Sequence, residues 1–295
     1  MPTLKEIKGR IASVRGTLKI TSAMKLVSSA KLRKAQKATE AMRPYEAKLQ
    51  EMLAAVGGKV AAEGVAPEGA SAFFLATEGA TLPSDAVKAP AAIIAIASNS
   101  SLCGGFNANA VAKVRSVRQK GDVVYSIGRK MADAMRRDGF PSPEDFSDLS
   151  ENPAYAPAAV LVERLQQDLA EGRISRVLLV YNHFVSTARQ VPVVEELLAS
   201  AGPAANAMPT HADAIFEPSR QVLLAALEPK LLKLKLYAAL LDSAAAEHAA
   251  RTVAMQMATD NGEKLLQELT LQYNKGRQQK ITSEILDLAG GQAAQ

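Results

Sequence analysis

The stretch Leu227–Tyr273, LEPKLLKLKLYAALLDSAAAEHAARTVAMQMATDNGEKLLQELTLQY, decides the fold. Within it Leu227, Leu234, Leu241, His248, Met255, Gly262 and Leu269 recur every seven residues. Each is followed four residues later by Leu231, Ala238, Ala245, Thr252, Thr259, Leu266 or Tyr273. That is the repeat of a helix built to meet another helix along a narrow seam. Both lines are apolar at their ends and small or polar in the middle. The pattern predicts a helix over 219–289, and about 70 residues at the helical rise reach roughly 100 Å. No domain of this chain is wide enough to bury such a helix, so it needs a partner helix, an outside sleeve, or both.

The partner helix is at the other end of the chain. In LKEIKGRIASVRGTL (Leu4–Leu18), the residues Leu4, Ile7, Ile11, Val14 and Leu18 step by three and four along one stripe. Beyond Leu18 the apolar residues Ile20, Met24 and Val27 suggest a slip into a second register, continued by Ala30, Ala35, Ala38 and Met42. Pro44 is expected to kink or restart the helix, because it donates no hydrogen bond to the preceding turn. Leu49, Met52, Leu53 and Val56 then lead to Gly57 and Gly58, a plausible stop. A helix over 1–57 would reach roughly 85 Å.

Between the two helices the pattern changes. Residues 58–89, rich in Gly, Ala and Pro, read as a connector, and so do 201–218. AAIIAIA (Ala91–Ala97), DVVYSI (Asp122–Ile127) and RVLLVYNHF (Arg176–Phe184) have strand length and apolar character. Helical stretches at about 107–119, 128–138 and 157–171 alternate with them, so 90–200 reads as an α/β domain with a largely parallel sheet. QVPVVEEL (Gln190–Leu197) fits an added edge strand, where Pro192 is tolerated. The expected fold is therefore a long antiparallel coiled coil of N- and C-terminal helices with an inserted α/β, Rossmann-like domain, and a short tail at 290–295.

Composition agrees with a helical chain. The 295 residues are 48% hydrophobic, but only 4% are aromatic and Trp is absent, a bias toward narrow helical seams rather than a sandwich. The net charge of +5 is unevenly spread. Residues 1–37 hold ten basic side chains, among them Lys5, Lys8, Arg10, Arg15, Lys19 and Lys25, against the single acid Glu6. Such clustering favours an anionic partner: a nucleic acid, a membrane surface or an acidic protein face. Aromatic interleaving, a zipper and a helix-turn-helix pattern, which would seat the helix in a nucleic-acid groove, are all missing. Cys103 is the sole cysteine, which excludes an intramolecular disulfide and suits a reducing compartment. No apolar run reaches the length of a membrane span, and the amino end lacks a secretory-signal pattern.

Chemistry-bearing motifs are sparse. The turn Ser98-Asn-Ser-Ser-Leu-Cys-Gly-Gly-Phe-Asn107 sits between a strand and a helix, the place of phosphate loops, yet it has neither the dinucleotide glycine pattern nor a Lys-Ser/Thr after its glycines. It reads as a structural turn. Cys103 reads as a small buried residue, since His183, His211 and His248 fall in three separate segments. Neither a catalytic residue, a metal nor a cofactor is expected. An α/β enzyme and a coiled-coil nucleic-acid binder remain open from these residues alone.

Three stretches carry a resemblance: IKGRIASVRGTLKITSAMKLVSSAKLRKAQ (Ile7–Gln36), SLCGGFN (Ser101–Asn107) and LLDSAAAEHAARTVAMQMATDNGEKLLQELTLQYNKGRQQKITSEI (Leu240–Ile285). LVYNHFVSTARQVPV (Leu179–Val193) and FEPS (Phe216–Ser219) fit as well. In order and over the whole chain they resemble the gamma subunits of bacterial F-type ATP synthases. Asn99, Ser100 and Ser101 depart from the family's usual Asp-Arg-Gly, Gly262 and Gly276 stand where Ala is common, and Lys280 replaces a small residue. The two glycines lead to the expectation of a softened coil, since each costs up to about 1 kcal/mol relative to Ala.

The resemblance implies a non-catalytic rotor shaft inside a ring of three alpha and three beta subunits, with the α/β domain on the epsilon subunit and the membrane c-ring. It implies a peripheral location at the cytoplasmic face of the inner (plasma) membrane. It also implies two partner-binding patches. Met24 and Lys25 match the region facing an acidic loop of beta, and Arg277, Gln278 and Thr282 match a contact near the top of the shaft.

Overall fold

The computed structural model describes residues 3–63, 89–199, 217 and 219–292. Most of both expected connectors, with His211, Phe216 and the end of the tail, lies outside the described residues. The elements are α1 (Leu4–Glu63), β1 (Ala92–Ile96), α2 (Phe106–Val117), β2 (Val123–Ile127), α3 (Arg129–Arg137), α4 (Ser147–Glu151), α5 (Tyr155–Ala170), β3 (Arg176–Phe184), β4 (Gln190–Ala199) and α6 (Arg220–Gln292). The fold is the expected one, terminal helices paired antiparallel with an α/β region inserted between them. Its contacts divide into two compact units, Lys31–Ala250 and Met1–Ala30 with Arg251–Gln295.

In the larger unit the sheet order is β2-β1-β3-β4. β1 pairs in parallel with both β2 and β3, from Ala92 opposite Val123 and Val177. β4 closes the edge antiparallel to β3, and Pro192 takes its place opposite Asn182 on that edge strand. All five β1 residues are buried because helices cover both faces, which is why the strand reads as an unbroken apolar run. Ile93, Ala95, Val124 and Val180 point to α2 and α3, where Val114, Met131 and Met135 meet them. Ile94, Ile96, Ile127 and Leu179 point the other way, to Leu161 and Leu165 of α5 and to Leu232, Leu236 and Leu240 of α6.

α6 is therefore held on two sides. Its seam residues Leu231, Leu234 and Leu241 pack with Met42 and Leu49 of α1, while Leu232, Leu236 and Leu240 lie under the sheet. Each fully buried leucine of this kind contributes on the order of 1.5–3 kcal/mol. The same packing explains why α1 neither stops nor restarts at Pro44. Met42 and Leu49 anchor the helix on both sides of the missing hydrogen bond. Nor does α1 end at Gly57 and Gly58. It continues to Glu63, with Val56 packed beside Leu224 just before the glycines.

In the smaller unit the coil begins at a capping box. The Glu6 N–H donates to Thr3 Oγ1 at 3.3 Å and the Thr3 N–H donates to Glu6 Oε2 at 3.0 Å. Ile7, Ser28, Met255 and Leu269 are buried. Thr259 Oγ1 donates to Thr21 Oγ1 at 3.0 Å, Leu18 lies against Gly262, and Leu4 against Gly276. These three pairs have the same sum of residue numbers, so the antiparallel register holds without a slip. That corrects the slip expected after Leu18. The seam runs on through Thr21, Lys25 and Ser28 at the original spacing, and Ile20 and Val27 face outward at 61% and 57% exposure. Small polar residues keep the seam because their hydroxyls bond within the coil, as Ser28 Oγ does to the Met24 carbonyl at 2.8 Å.

Beside the helix propensity they cost, the glycines make room for side chains of α1. A Cβ at residue 262 would lie 2.7 Å from Leu18 Cδ2, and one at 276 would lie 3.1 Å from Leu4 Cδ2. They are sockets for leucines of α1. Gly276→Ala should stabilise the chain by up to about 1 kcal/mol through helix propensity. Gly262→Ala should gain less, because Leu18 must move, and denaturant unfolding of the two variants would expose the ordering. Gly128, between β2 and α3, has φ +99°, and a Cβ there would lie 2.2 Å from the Ala97 carbonyl oxygen. Gly128→Ala should cost at least about 2 kcal/mol in the same measurement.

Candidate partner-binding surface

α1 places most of its early cations outward because the seam takes only every third or fourth position. Lys5, Lys8, Arg10, Arg15 and Lys19 are exposed. Among the described residues none of them has an acidic side chain in salt-bridge contact. Among the described residues the basic surface is thus uncompensated by salt bridges. Lys25 differs, since it sits on the seam line and is half-buried along with Met24. A lysine there can lay its aliphatic stem along the seam while its ammonium reaches water.

The second patch lies where α6 runs past the start of α1. Leu4, the first residue of α1, lies against Gly276, and every residue from Arg277 to Leu286 is exposed. Arg277, Gln278 and Thr282 are all on this bare stretch. Thr282 Oγ1 bonds back to the Gln278 carbonyl at 2.9 Å, which leaves both side chains on one side of the helix. Lys280 reaches toward Glu284, one turn on, at 3.7 Å. Beside them Ile281, Ile285 and Leu286 stand 44%, 59% and 65% exposed. By the coil's register Lys25 is level with Met255, about 20 residues and roughly 30 Å along α6 from Arg277. The five residues therefore form two separate patches and not one site.

The bare isoleucines and the outward row of Ile20 and Val27 are the part that reading the residues missed. Carrying the three-and-four spacing past Leu18 would have found the row, and noting where α1 begins would have found the bare stretch.

The Ser98–Asn107 turn closes on itself. Asn107 Oδ1 accepts from the Ser98 N–H at 3.0 Å, Asn107 Nδ2 donates to Ser98 Oγ at 2.8 Å, and Ser98 Oγ donates to the Ser100 carbonyl at 2.6 Å. Asn99 bridges to the Ser147 carbonyl and the Arg129 N–H. Buried Cys103 and Phe106 pack with Ala246 and Ala250 of α6, so this loop mounts the sheet on the helix. Among the described residues no group of His, Cys, Asp or Glu is arranged to hold a metal, and no helix is long and apolar enough to cross a membrane.

Paired terminal helices around an inserted α/β domain, with one helix outrunning the other, define the class: a helical shaft. The model of the ATP synthase family matches residues 3–294. Among curated relatives, the ATP synthase gamma chain of Phocaeicola vulgatus is 44% identical, covering 100% of both chains. That of Bacteroides thetaiotaomicron is 42% identical over 99% of each. A chain of the Euglena gracilis mitochondrial ATP synthase (OSCP/F1/c-ring) has the same fold, with a TM-score of 0.67 at 19% identity, covering 99% of this chain and 94% of that one. A chain of the Tetrahymena thermophila mitochondrial ATP synthase central stalk and c-ring aligns with a TM-score of 0.57 at 21% identity, covering 81% and 99%. The chain belongs to the ATP synthase gamma-chain family.

Because Ile281 and Ile285 are exposed at 44% and 59%, Ile281→Ser and Ile285→Ser should change the unfolding free energy by no more than about 0.5 kcal/mol. Ile7→Ala, at a buried seam position, should cost about 2–5 kcal/mol. Chemical unfolding of the three variants separates the outward surface from the seam.

Proposed function

We propose that this chain is the central rotor shaft of a proton-translocating ATP synthase and does no bond chemistry itself. The observation that carries the reading is the bare end of α6, Arg277–Leu286, where apolar side chains stand in water on a helix whose partner has already ended. An apolar surface of this kind is the mark of a binding site. A sleeve formed by three alpha and three beta subunits would cover it.

An asymmetric shaft in a ring of near threefold symmetry touches the three beta subunits differently. Each is then biased toward a different conformation and nucleotide affinity, and turning the shaft exchanges the three states. This is coupling by differential contact. The α/β domain would rest on the epsilon subunit and the c-ring, which drives the rotation during synthesis and is driven during hydrolysis. In this arrangement the chain is peripheral to the membrane, at its cytoplasmic face.

Arg277 is the strongest polar candidate, since an exposed guanidinium on a bare helix can make paired charge-assisted bonds to beta-subunit carboxylates. Gln278 and Thr282 extend that contact along the same helix. Met24 and Lys25, with the basic face of α1, would meet an acidic loop of beta.

The first test is isolation of the tagged chain in mild detergent, with subunit identification and an ATP hydrolysis assay. Recovery of one copy with three alpha and three beta subunits supports the shaft. Recovery of the chain alone, or with nucleic acid, refutes it. Within the complex, Arg277→Ala should lower the yield of assembled enzyme or its ATP synthesis. Attachment through Lys25 should weaken as salt rises, because exposed charge pairs are screened within about 8–10 Å at physiological ionic strength. An affinity for the ring independent of salt would remove Lys25 from the contact.

A further inference from the structure

The end of β3 meets α6 through residues that neither the seam nor the partner patches use. Asn182 Nδ2 donates to the Phe106 carbonyl at 3.1 Å, tying β3 to the start of α2. Phe184 packs among Leu32, Ala35, Ala245 and Ala249 on one side and Cys103, Phe106, Ala246 and Ala250 on the other. Between them, His183 Nδ1 lies 2.6 Å from Asp242 Oδ2 of α6, and the Phe184 N–H donates to Asp242 Oδ1 at 3.3 Å. Both carboxylate oxygens of Asp242 are thus taken by two consecutive residues of one strand.

The coil beside Phe184 is faced largely with alanine. Apolar contact has no preferred direction, and alanines offer shallow sockets, so packing alone resists sliding and twisting of the strand end on the helix poorly. A hydrogen-bonded pair with fixed geometry does resist it. We infer that His183 and Asp242 form a pin that fixes the end of β3 on the shaft helix, beside the apolar anchor of Leu232, Leu236 and Leu240, and carries torque from the sheet domain to that helix. Burial pushes the Asp242 carboxyl above its usual range, and the hydrogen bond and charge of His183, the Phe184 N–H and the Arg43 charge pull it back. The carboxylate therefore depends on its partners, and removing His183 leaves a half-buried charge poorly compensated.

The inference rests on the shaft reading, and its test uses the whole enzyme in inverted membrane vesicles, with ATP hydrolysis and ATP-driven proton pumping measured together. His183→Ala should keep hydrolysis while losing part of the protons pumped per ATP hydrolysed. His183→Lys, which places a hydrogen-bond donor opposite Asp242, should recover pumping. The double variant His183→Ala with Asp242→Asn should be no worse than His183→Ala alone, because the stranded charge is gone.

If His183→Ala fails to assemble, His183→Gln replaces it in the comparison with His183→Lys. Pumping unchanged in His183→Ala or His183→Gln, or not recovered in His183→Lys, would overturn the pin. Hydrolysis and pumping that persist in vesicles lacking this chain would defeat the shaft reading instead.

Discussion

A helix paired along its length with a second must keep one register, and this constraint selects the residues that face each other. The two ends of the sequence obey it together. Leu18 takes the space left by Gly262 and Leu4 lies beside Gly276, while Thr259 and Thr21 share a hydrogen bond between the same helices. A shift of one residue in either helix would set leucines against side chains and glycines against nothing. At these two places the seam is slim because a leucine is matched by a glycine, whereas nearer the sheet Leu231, Leu234 and Leu241 meet Met42 and Leu49.

The α/β region uses the same helix differently. In LLKLKL (Leu231–Leu236) adjacent leucines serve two partners, Leu231 and Leu234 toward α1 and Leu232 and Leu236 toward the sheet. α6 is the shared wall of two cores there, and the joint is finished by polar contacts at the end of β3. The chain thus combines a broad apolar anchor for the sheet domain with a narrow seam for the shaft.

Much of this was legible in the residues. The heptad lines of α6, the three main strands, the edge strand with Pro192 and three of the helices between them follow from periodicity and apolar runs, because burial dictates the pattern, whereas the short α4 (Ser147–Glu151) was not expected. Other features were not legible. Ile20 and Val27 look like a seam by hydrophobicity, and only the geometry shows that Thr21 and Ser28 hold the line while the larger residues turn outward. Pro44 and the Gly57-Gly58 pair look like breaks because local propensity argues so, and packing on α6 overrides it near both. The second stripe, Leu232, Leu236 and Leu240, was hidden beside a stronger one. The pairing of His183 with Asp242 had no local signal, since 58 residues separate the Phe184 N–H from the carboxylate that both residues bind.

The match of Leu4 with Gly276 also bears on how the chain is made. Contacts this distant in sequence form late, because loop closure must precede the gain they bring. During synthesis α1 emerges before the sheet strands, and the α6 residues that fill its seam emerge after them. The sheet strands, from Ala92 to Ala199, are complete before α6 begins and can fold while α1 still waits. In that interval the early helix shows its apolar stripe as well as its cations, so the nascent chain is most vulnerable to misassociation before α6 is translated.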